Sequence, residues 1–455
     1  MIRKPSITLL LSLLFLSATS ITVLGAGKNG ALGTHGYRGN RAAERAIRYS
    51  FADEQPVFGY SSGGSWISPG RVPIGTVTAA SSAASPGVTF GNTWYDYQSN
   101  GSIGRMIETG PHSGEVGYTV VHMGWMYLPE KTAMNKYRSY AYAAYRTQDH
   151  SLVSPAYLMV EDVDYGGYVN LDVTPDNRAI VGGHNNPSTT YSPQFHYDGG
   201  PAYATFPNVE RIPDSTKLWG ITTTEDVCWP HFFFQLGTDT VLHVAAQEAA
   251  PNGIDPQSVM YFRKVGFEGS LDSEWDYPPY LVDTVADIAQ DIIGQRNGDR
   301  VCLVWFASLP YDEPWCDTCS SISVYTDGYG QQDNDIYYQE STDQGATWQP
   351  RVNLTKVPLG EAAYKAYCDA SVLYDSNEKL HVIWHACPWP ADLCWDAETH
   401  CWAENWYYDN ARLMHWSENV PYIRPIADQV YEVEDYLIDS CWAGAWALRI
   451  AKPSI

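Results

Sequence analysis

What the sequence lacks sets its class. No window sustains a 3.6-residue apolar period long enough for a large helix, so the chain is read as all-β. No HExxH, GxSxG or GxGxxG occurs, which removes the local marks of a zincin, a serine hydrolase and a dinucleotide-binding enzyme. Cations are scarce: 28 Lys and Arg stand against 52 Asp and Glu, a net charge of −24. Such a surface repels nucleic acid and anionic lipid, so no nucleic-acid partner is expected, and an acidic excess serves solubility first. Beyond the first residues, no run is apolar enough to cross a bilayer, so no membrane span is expected in the mature chain.

The start is different. Residues 1–26 place Arg3 and Lys4 before an apolar run and then small residues, the build of a secretory signal peptide, and imply a secreted, extracellular or cell-surface protein. Without those two cations the balance is −26. Residues 27–88 are a Gly/Ser/Ala-rich lead-in ("SSGGSWISPG", "TAASSAASPG"). Residues 89–430 form the body, and 431–455 a C-terminal segment that either joins a last sheet or is truncated. Nine cysteines in an exported chain point to disulfides. Cys316 and Cys319 form a CxxC, and Cys387, Cys394 and Cys401 recur every seventh residue. No His spacing completes a four-ligand zinc set, so loop-stapling disulfides are expected and no metal.

The body repeats itself. A strand, a tight polar turn and a second strand recur five times: "RMIETGPHSGEVGYTVVHMGW" to Trp125, "YVNLDVTPDNRAIVGGH" near Gly183, "PHFFFQLGTDTVLHVAA" to Ala246, "DIAQDIIGQRNGDRVCLVW" to Trp305 and "CDASVLYDSNEKLHVIW" to Trp384. Each interval has room for four strands and a variable loop, the content of one propeller blade. Third strands fall at 139–146, 258–264, 335–341 and 412–418. The expected fold is a β-propeller of about six four-stranded blades, with five to seven possible.

Between two strand-like runs lies "STDQGATW". Its Ser341, Asp343, Gly345 and Trp348 match S-x-D-x-G-x-x-W, and the octapeptide resembles the Asp box (BNR repeat) of the sialidase-like β-propellers. Physics gives these residues a structural task. Asp in a tight turn accepts its own following N–H groups, Gly supplies φ > 0, and Trp buries a large ring between neighbouring sheets. The resemblance implies that this box faces away from the ligand site, so Asp343 is not a catalytic candidate. It also implies, for an enzyme, an arginine cluster, a Tyr nucleophile paired with Glu, and an Asp acid/base. "ERIP" at 210–213 has Glu210 where the FRIP segment of that family has Phe, and none of the catalytic roles transfers to a numbered residue. His122, His243 and His381, with Cys302 at the same place in the fourth copy, look like a metal set; recurrence from copy to copy assigns them to packing instead.

Function is sought where the repeat breaks. Two long loops follow second strands, and a four-stranded zigzag puts both on one rim, opposite the Asp-box turn. They carry Trp315, Trp389, Trp395, Trp402 and Trp406 interleaved with Asp312, Glu313, Asp392, Asp396, Glu398 and Glu404. Trp faces stack on sugar rings and carboxylates accept hydroxyl hydrogen bonds, so these are the candidate ligand-binding residues. A disulfide-stapled cap with its own small core is the structural alternative. Asp327, Asp333 and Asp335 could hold Ca²⁺ through oxygens, but their spacing is unlike an EF-hand and they are read first as solvated loop acids; no cofactor is expected. The functional expectation is non-catalytic recognition of an extracellular glycan or protein; the alternative is a sialidase-like glycoside hydrolase.

Overall fold

In a computed structural model of the chain, the described residues are 90–95, 103–110, 119–128, 138–153, 158–161, 166–185, 192–199, 206, 208–212, 226–249, 257–266, 275–276, 278–285, 290–296, 298–308, 334–357, 363–389, 395–396, 401–402 and 412–428. The chain divides into two compact units, Met1–Tyr37 with Val57–Phe90, and Arg38–Pro56 with Gly91–Ile455. Every element below belongs to the second. Among the described residues all regular structure is β, and every pairing is antiparallel.

The strands fall into consecutive up-and-down sheets. The first holds β1 (Ile107–Thr109), β2 (Val120–Tyr127), β3 (Ser139–Arg146) and β4 (Ser151–Leu152), with β5 (Leu158–Glu161) also paired to β3. The second holds β6 (Gly167–Val173), β7 (Ala179–Asn185), β8 (Ser192–Tyr197) and β9 (Asn208–Arg211). The third holds β10 (Asp226–Leu236), β11 (Thr240–Ala249), β12 (Gln257–Val265) and β13 (Tyr280–Val285). An eight-stranded sheet follows. Its first half is β14 (Gln290–Gly294), β15 (Val301–Ser308), β16 (Asn334–Ser341) and β17 (Val352–Asn353). Its second half is β18 (Ala363–Tyr374), β19 (Leu380–Trp389), β22 (Arg412–Ser417) and β23 (Val420–Asp428), and one pair, Asn334 with Ala366, joins the halves. A two-residue hairpin, β20 (Trp395–Asp396) with β21 (Cys401–Trp402), lies between β19 and β22 in the chain.

Four apolar layers separate these five units. Met126, Tyr140 and Tyr142 meet Val169, Leu171 and Val181 between the first and second. Phe195 and Tyr197 meet Phe232, Phe234 and Leu242 between the second and third. Ala245, Tyr261 and Val282 meet Ile292, Leu303 and Trp305 between the third and fourth, and Val304 and Phe306 meet Val372, Val382 and Trp384 between the fourth and fifth. Because inner sheets are covered on both faces, their central strands read as unbroken apolar runs such as "VCLVWF" and not as strict alternation. Trp305 and Trp384, in the second strands of their units, both fill the layer toward the preceding unit. Trp125 sits in the second strand of the first unit, and its ring packs under Gly91, where a Cβ would stand 2.3 Å from Cζ2.

The first strands lie side by side along one line. The Leu171 N–H donates to the Arg105 carbonyl, Asn170 Nδ2 to the Pro230 carbonyl, and Gln290 Nε2 to the Trp229 carbonyl. First strands begin, and second strands end, at what we call the loop end: β15 leaves at Ser308 into the long segment 309–333, and β19 at Trp389 into the second long segment. The turn end is opposite. There Ser341 Oγ donates to Asp343 Oδ1 at 2.7 Å, Asp343 accepts the Thr347 N–H at 2.8 Å, and Gly345 has φ +78°. Trp348 stacks on Tyr280 (centroids 5.9 Å, 11°) and meets Tyr261 edge-on. The expected burial of Trp348 is only partial, since its ring is half-buried.

The recurring histidines are structural. His122 Nδ1 bonds Tyr142 Oη and His243 Nδ1 bonds Tyr261 Oη, both at 2.7 Å, and His381 Nδ1 bonds His415 Nε2 at 3.0 Å. In each case the partner lies on the third strand, two residues from the directly paired position. Asp335 is not a solvated loop acid. Its carboxylate is buried and accepts from Asn353 Nδ2, Thr355 Oγ1 and the Val357 N–H, so it fastens the turn after β16. Asp327 and Asp333 lie outside the described residues.

Candidate functional site

The long-loop candidates are only partly placed. Asp312, Glu313, Trp315, Cys316, Cys319, Asp392, Cys394, Glu398, Glu404 and Trp406 lie outside the described residues. For Cys387, Trp389, Trp395, Asp396, Cys401 and Trp402 the backbone alone is described: Trp389 ends β19, Trp395 is paired with Trp402, and Asp396 with Cys401. The roots of the two loops are close, because Ala366 pairs with both Asn334 and Ala386. The cysteines whose side chains are described, Cys228 and Cys302, are buried thiols, and burial raises the Cys302 thiol well above the ordinary range.

A second cluster occupies the same end, built by a repeated irregularity of the first strands. In the second unit Tyr168 and Val169 face the single residue Gly183, and in the third Trp229 and Pro230 face Ala246. In the fifth, Tyr367, Cys368 and Asp369 face His385. These are β-bulges, and the first bulge residue in two of them is an aromatic in the left-handed region: Tyr168 at φ 57° and Trp229 at φ 51°. That position normally takes Gly. Non-glycine residues held there cost of order 1–3 kcal/mol each and gather at binding and catalytic sites.

The two rings are half-buried and stand around the buried His184. Ring centroids are 4.8 Å apart for Tyr168 and His184 and 6.2 Å for Tyr168 and Trp229. The Trp229 N–H donates to His184 Nδ1 at 3.2 Å, which places the ring proton on Nε2, and burial together with Arg138 lowers the His184 pKa to about 3. His184 Nε2 and Arg138 Cζ converge over Gly167, 3.7 and 3.9 Å from where a Cβ would stand. The Arg138 guanidinium lies over the Tyr95 ring at 5.8 Å, and its buried Nε has no hydrogen-bond partner among the described residues. Burial raises the Tyr168 phenol above its usual value.

Deeper along the same line sit the carboxylates. Asp291 Oδ1 accepts from its neighbour Ile292 N–H, from Arg105 Nη2 and from His231 Nδ1, and Oδ2 accepts from the Val372 N–H of the fifth unit. Asp291 is buried, which alone raises its pKa, but Arg105 and His231 hold it below the ordinary carboxylate range. Asp172 repeats the pattern: it accepts from the Val173 and Phe234 N–H groups and pairs with Arg296 at 2.8 Å. Arg296 also meets Glu108 at 3.5 Å, and burial raises the Glu108 pKa. Arg296 lies in the β14–β15 turn, so Glu108 belongs to the turn end.

None of Arg138, Tyr168, His184, Trp229, His231, Gln290 and Asp291 was marked by motif. The available signals were Gly166–Gly167 and Pro230 inside strand-like runs, both of which mark bulges.

No protein-family model matches the chain, and no curated protein sequence matches it. Among solved structures it is similar to the polysaccharide lyase Uly1 (12% identity, 77% of each chain, TM-score 0.40). It is also similar to the Trypanosoma rangeli sialidase (9% identity, 72% of this chain and 47% of that one, TM-score 0.37). The α-L-arabinanase of Penicillium chrysogenum gives 10% identity over 59% of this chain and 67% of that one, at a TM-score of 0.35. At such scores nothing about chemistry follows, and function rests on this chain's own residues.

Proposed function

We propose that the chain is a secreted β-propeller of about six four-stranded blades, of the Asp-box, sialidase-like kind, whose loop end recognises an extracellular glycan or protein without catalysing a reaction. Five face-to-face units with adjoining first strands support the propeller, and the Ser341–Trp348 turn supports the box. In this reading the cysteines of the two long loops staple them and their tryptophans extend the binding surface.

The observation that carries recognition is the pair of bulge aromatics, Tyr168 and Trp229, held in left-handed backbone beside Arg138 and the neutral His184. Half-buried rings with one cation suit stacking and hydrogen bonding. Hydrolysis is less well served. Asp172 and Asp291 are fully engaged by backbone N–H groups and arginines, and burial makes Tyr168 a harder group to ionise, the opposite of an activated nucleophile.

A glycoside hydrolase with its acid at the turn end is the second reading, favoured by Glu108, which meets Arg296 there at 3.5 Å and whose pKa burial raises. A glycan array and pull-down with the mature chain, run beside Trp395→Ala and Trp402→Ala, test recognition: ligand capture that these changes weaken is expected, and no capture contradicts it. Turnover of aryl glycosides abolished by Glu108→Gln supports the hydrolase instead.

A further inference from the structure

Three buried polar atoms of the loop-end cluster have no protein partner among the described residues: Arg138 Nε, His231 Nε2 and Gln290 Oε1. Buried polar atoms in native proteins are hydrogen-bonded as a rule, so three orphans in one neighbourhood mark a place where something else supplies the bonds. The neighbourhood is continuous. Gln290 Nε2 holds the Trp229 carbonyl at 2.8 Å, Trp229 holds His184, His184 and Arg138 share the space over Gly167, and His231 stands against Asp291, the residue after Gln290.

The chemistry of the orphans defines what fits. A carboxylate only accepts, so a His231 proton sits on Nδ1 facing Asp291, and Nε2 of a ring carrying that one proton is an acceptor. Gln290 donates through Nε2 to Trp229 and therefore presents Oε1, a second acceptor. Arg138 Nε is a donor. Two acceptors and one donor, next to the half-buried faces of Tyr168 and Trp229, match a group that both gives and takes hydrogen bonds around a ring with apolar faces. A carboxylated ligand would be repelled by the acceptors. Of the arginines at this end, Arg105 is engaged by Asp291, and Arg138 Nε is one donor set against the two acceptors.

We propose that the loop end binds a neutral, hydroxyl-rich sugar ring, with Gln290 Oε1 and His231 Nε2 accepting its hydroxyl protons, Arg138 donating to a ring or hydroxyl oxygen, and Trp229 and Tyr168 walling its faces. This rests on the glycan reading above and narrows it to uncharged sugars.

The test is calorimetric titration of the mature chain with neutral oligosaccharides and with a sialylated one, for the unmutated chain and for Gln290→Met and Trp229→Ala. Neutral binding is expected, weakened roughly tenfold or more by either change. Because either variant can fail to fold, a diazirine-bearing neutral oligosaccharide is also crosslinked to the unmutated chain. Label on peptides containing Gly166–Asn170 or Cys228–His231 supports the assignment. Neutral binding with label confined to 390–411, or binding of the sialylated sugar alone, overturns it and leaves the glycan reading standing. Capture of a protein and of no glycan overturns both.

Discussion

The carboxylate of Asp291 accepts the backbone N–H of Val372 at 3.1 Å, across 81 residues of sequence. Asp172 does the same with Phe234, 62 residues on, so one device ties two different pairs of sheets together through their first strands. Each Asp also takes the N–H of its own next residue, and each is paired with an arginine. A short polar residue on an otherwise apolar strand is thereby satisfied in full, which is what permits its burial.

Asp291→Ala leaves Arg105 and the Val372 N–H without their partner in a buried place. Loss of one member of a buried ion pair costs about 3–5 kcal/mol. Chemical denaturation is expected to show a fall of that order, with a lower midpoint and an unchanged slope. An unchanged midpoint would remove Asp291 as a tie.

Gly345→Ala strains a residue at φ +78° and drives a Cβ to 1.8 Å from Tyr261 Oη. The strain and the displaced phenol together are expected to cost more than about 1 kcal/mol. Thermal melting of the variant checks this. Ligand binding at the loop end should be unaltered, since the turn lies at the other end of the sheet.

Trp305→Ala empties a fully buried site between the third and fourth units and frees Asp283 Oδ2 of its Nε1 bond. A loss of about 3–5 kcal/mol is expected in denaturant titration.

Acid should destabilise the fold in a defined window. Burial lowers His122 to about 4 and His184 and His243 to about 3, against 6.5 in the unfolded chain. Below pH 6.5 the unfolded state therefore binds protons that the folded state refuses. The stability is fully present above pH 6.5 and is lost as the pH falls toward 4 and 3. Denaturation midpoints followed from pH 7.5 to 4 should decline, and His243→Gln should flatten the decline. A flat profile for the unmutated chain would contradict the buried neutral state.

Much of this fold was legible in the sequence. The third strands expected at 139–146, 258–264 and 335–341 fall within or on β3, β12 and β16, and that at 412–418 overruns β22 by one residue, because a strand covered on both sides leaves a dense apolar signature between turn residues. The His122, His243 and His381 series was legible as packing for the same reason: an equivalent place in three units meets the equivalent place of the third strand, Tyr142, Tyr261 and His415. The loop-end cluster was not. Tyr168 and Trp229 are set by a backbone sign, φ > 0, that no side-chain pattern reports, and Arg138, His184 and Gln290 come from separate units with ordinary local sequence. The long loops stand out by composition, and their side chains lie outside the described residues.

The account stands on the loop end as the place of recognition, and hydrogen–deuterium exchange of the mature chain with and without a glycan captured on an array tests it most directly. Slower exchange on ligand addition at the amides of Tyr168, Val169, Trp229 and His231 is the predicted result. Protection confined to Ser341–Trp348, at the opposite end of the same sheet, would contradict it.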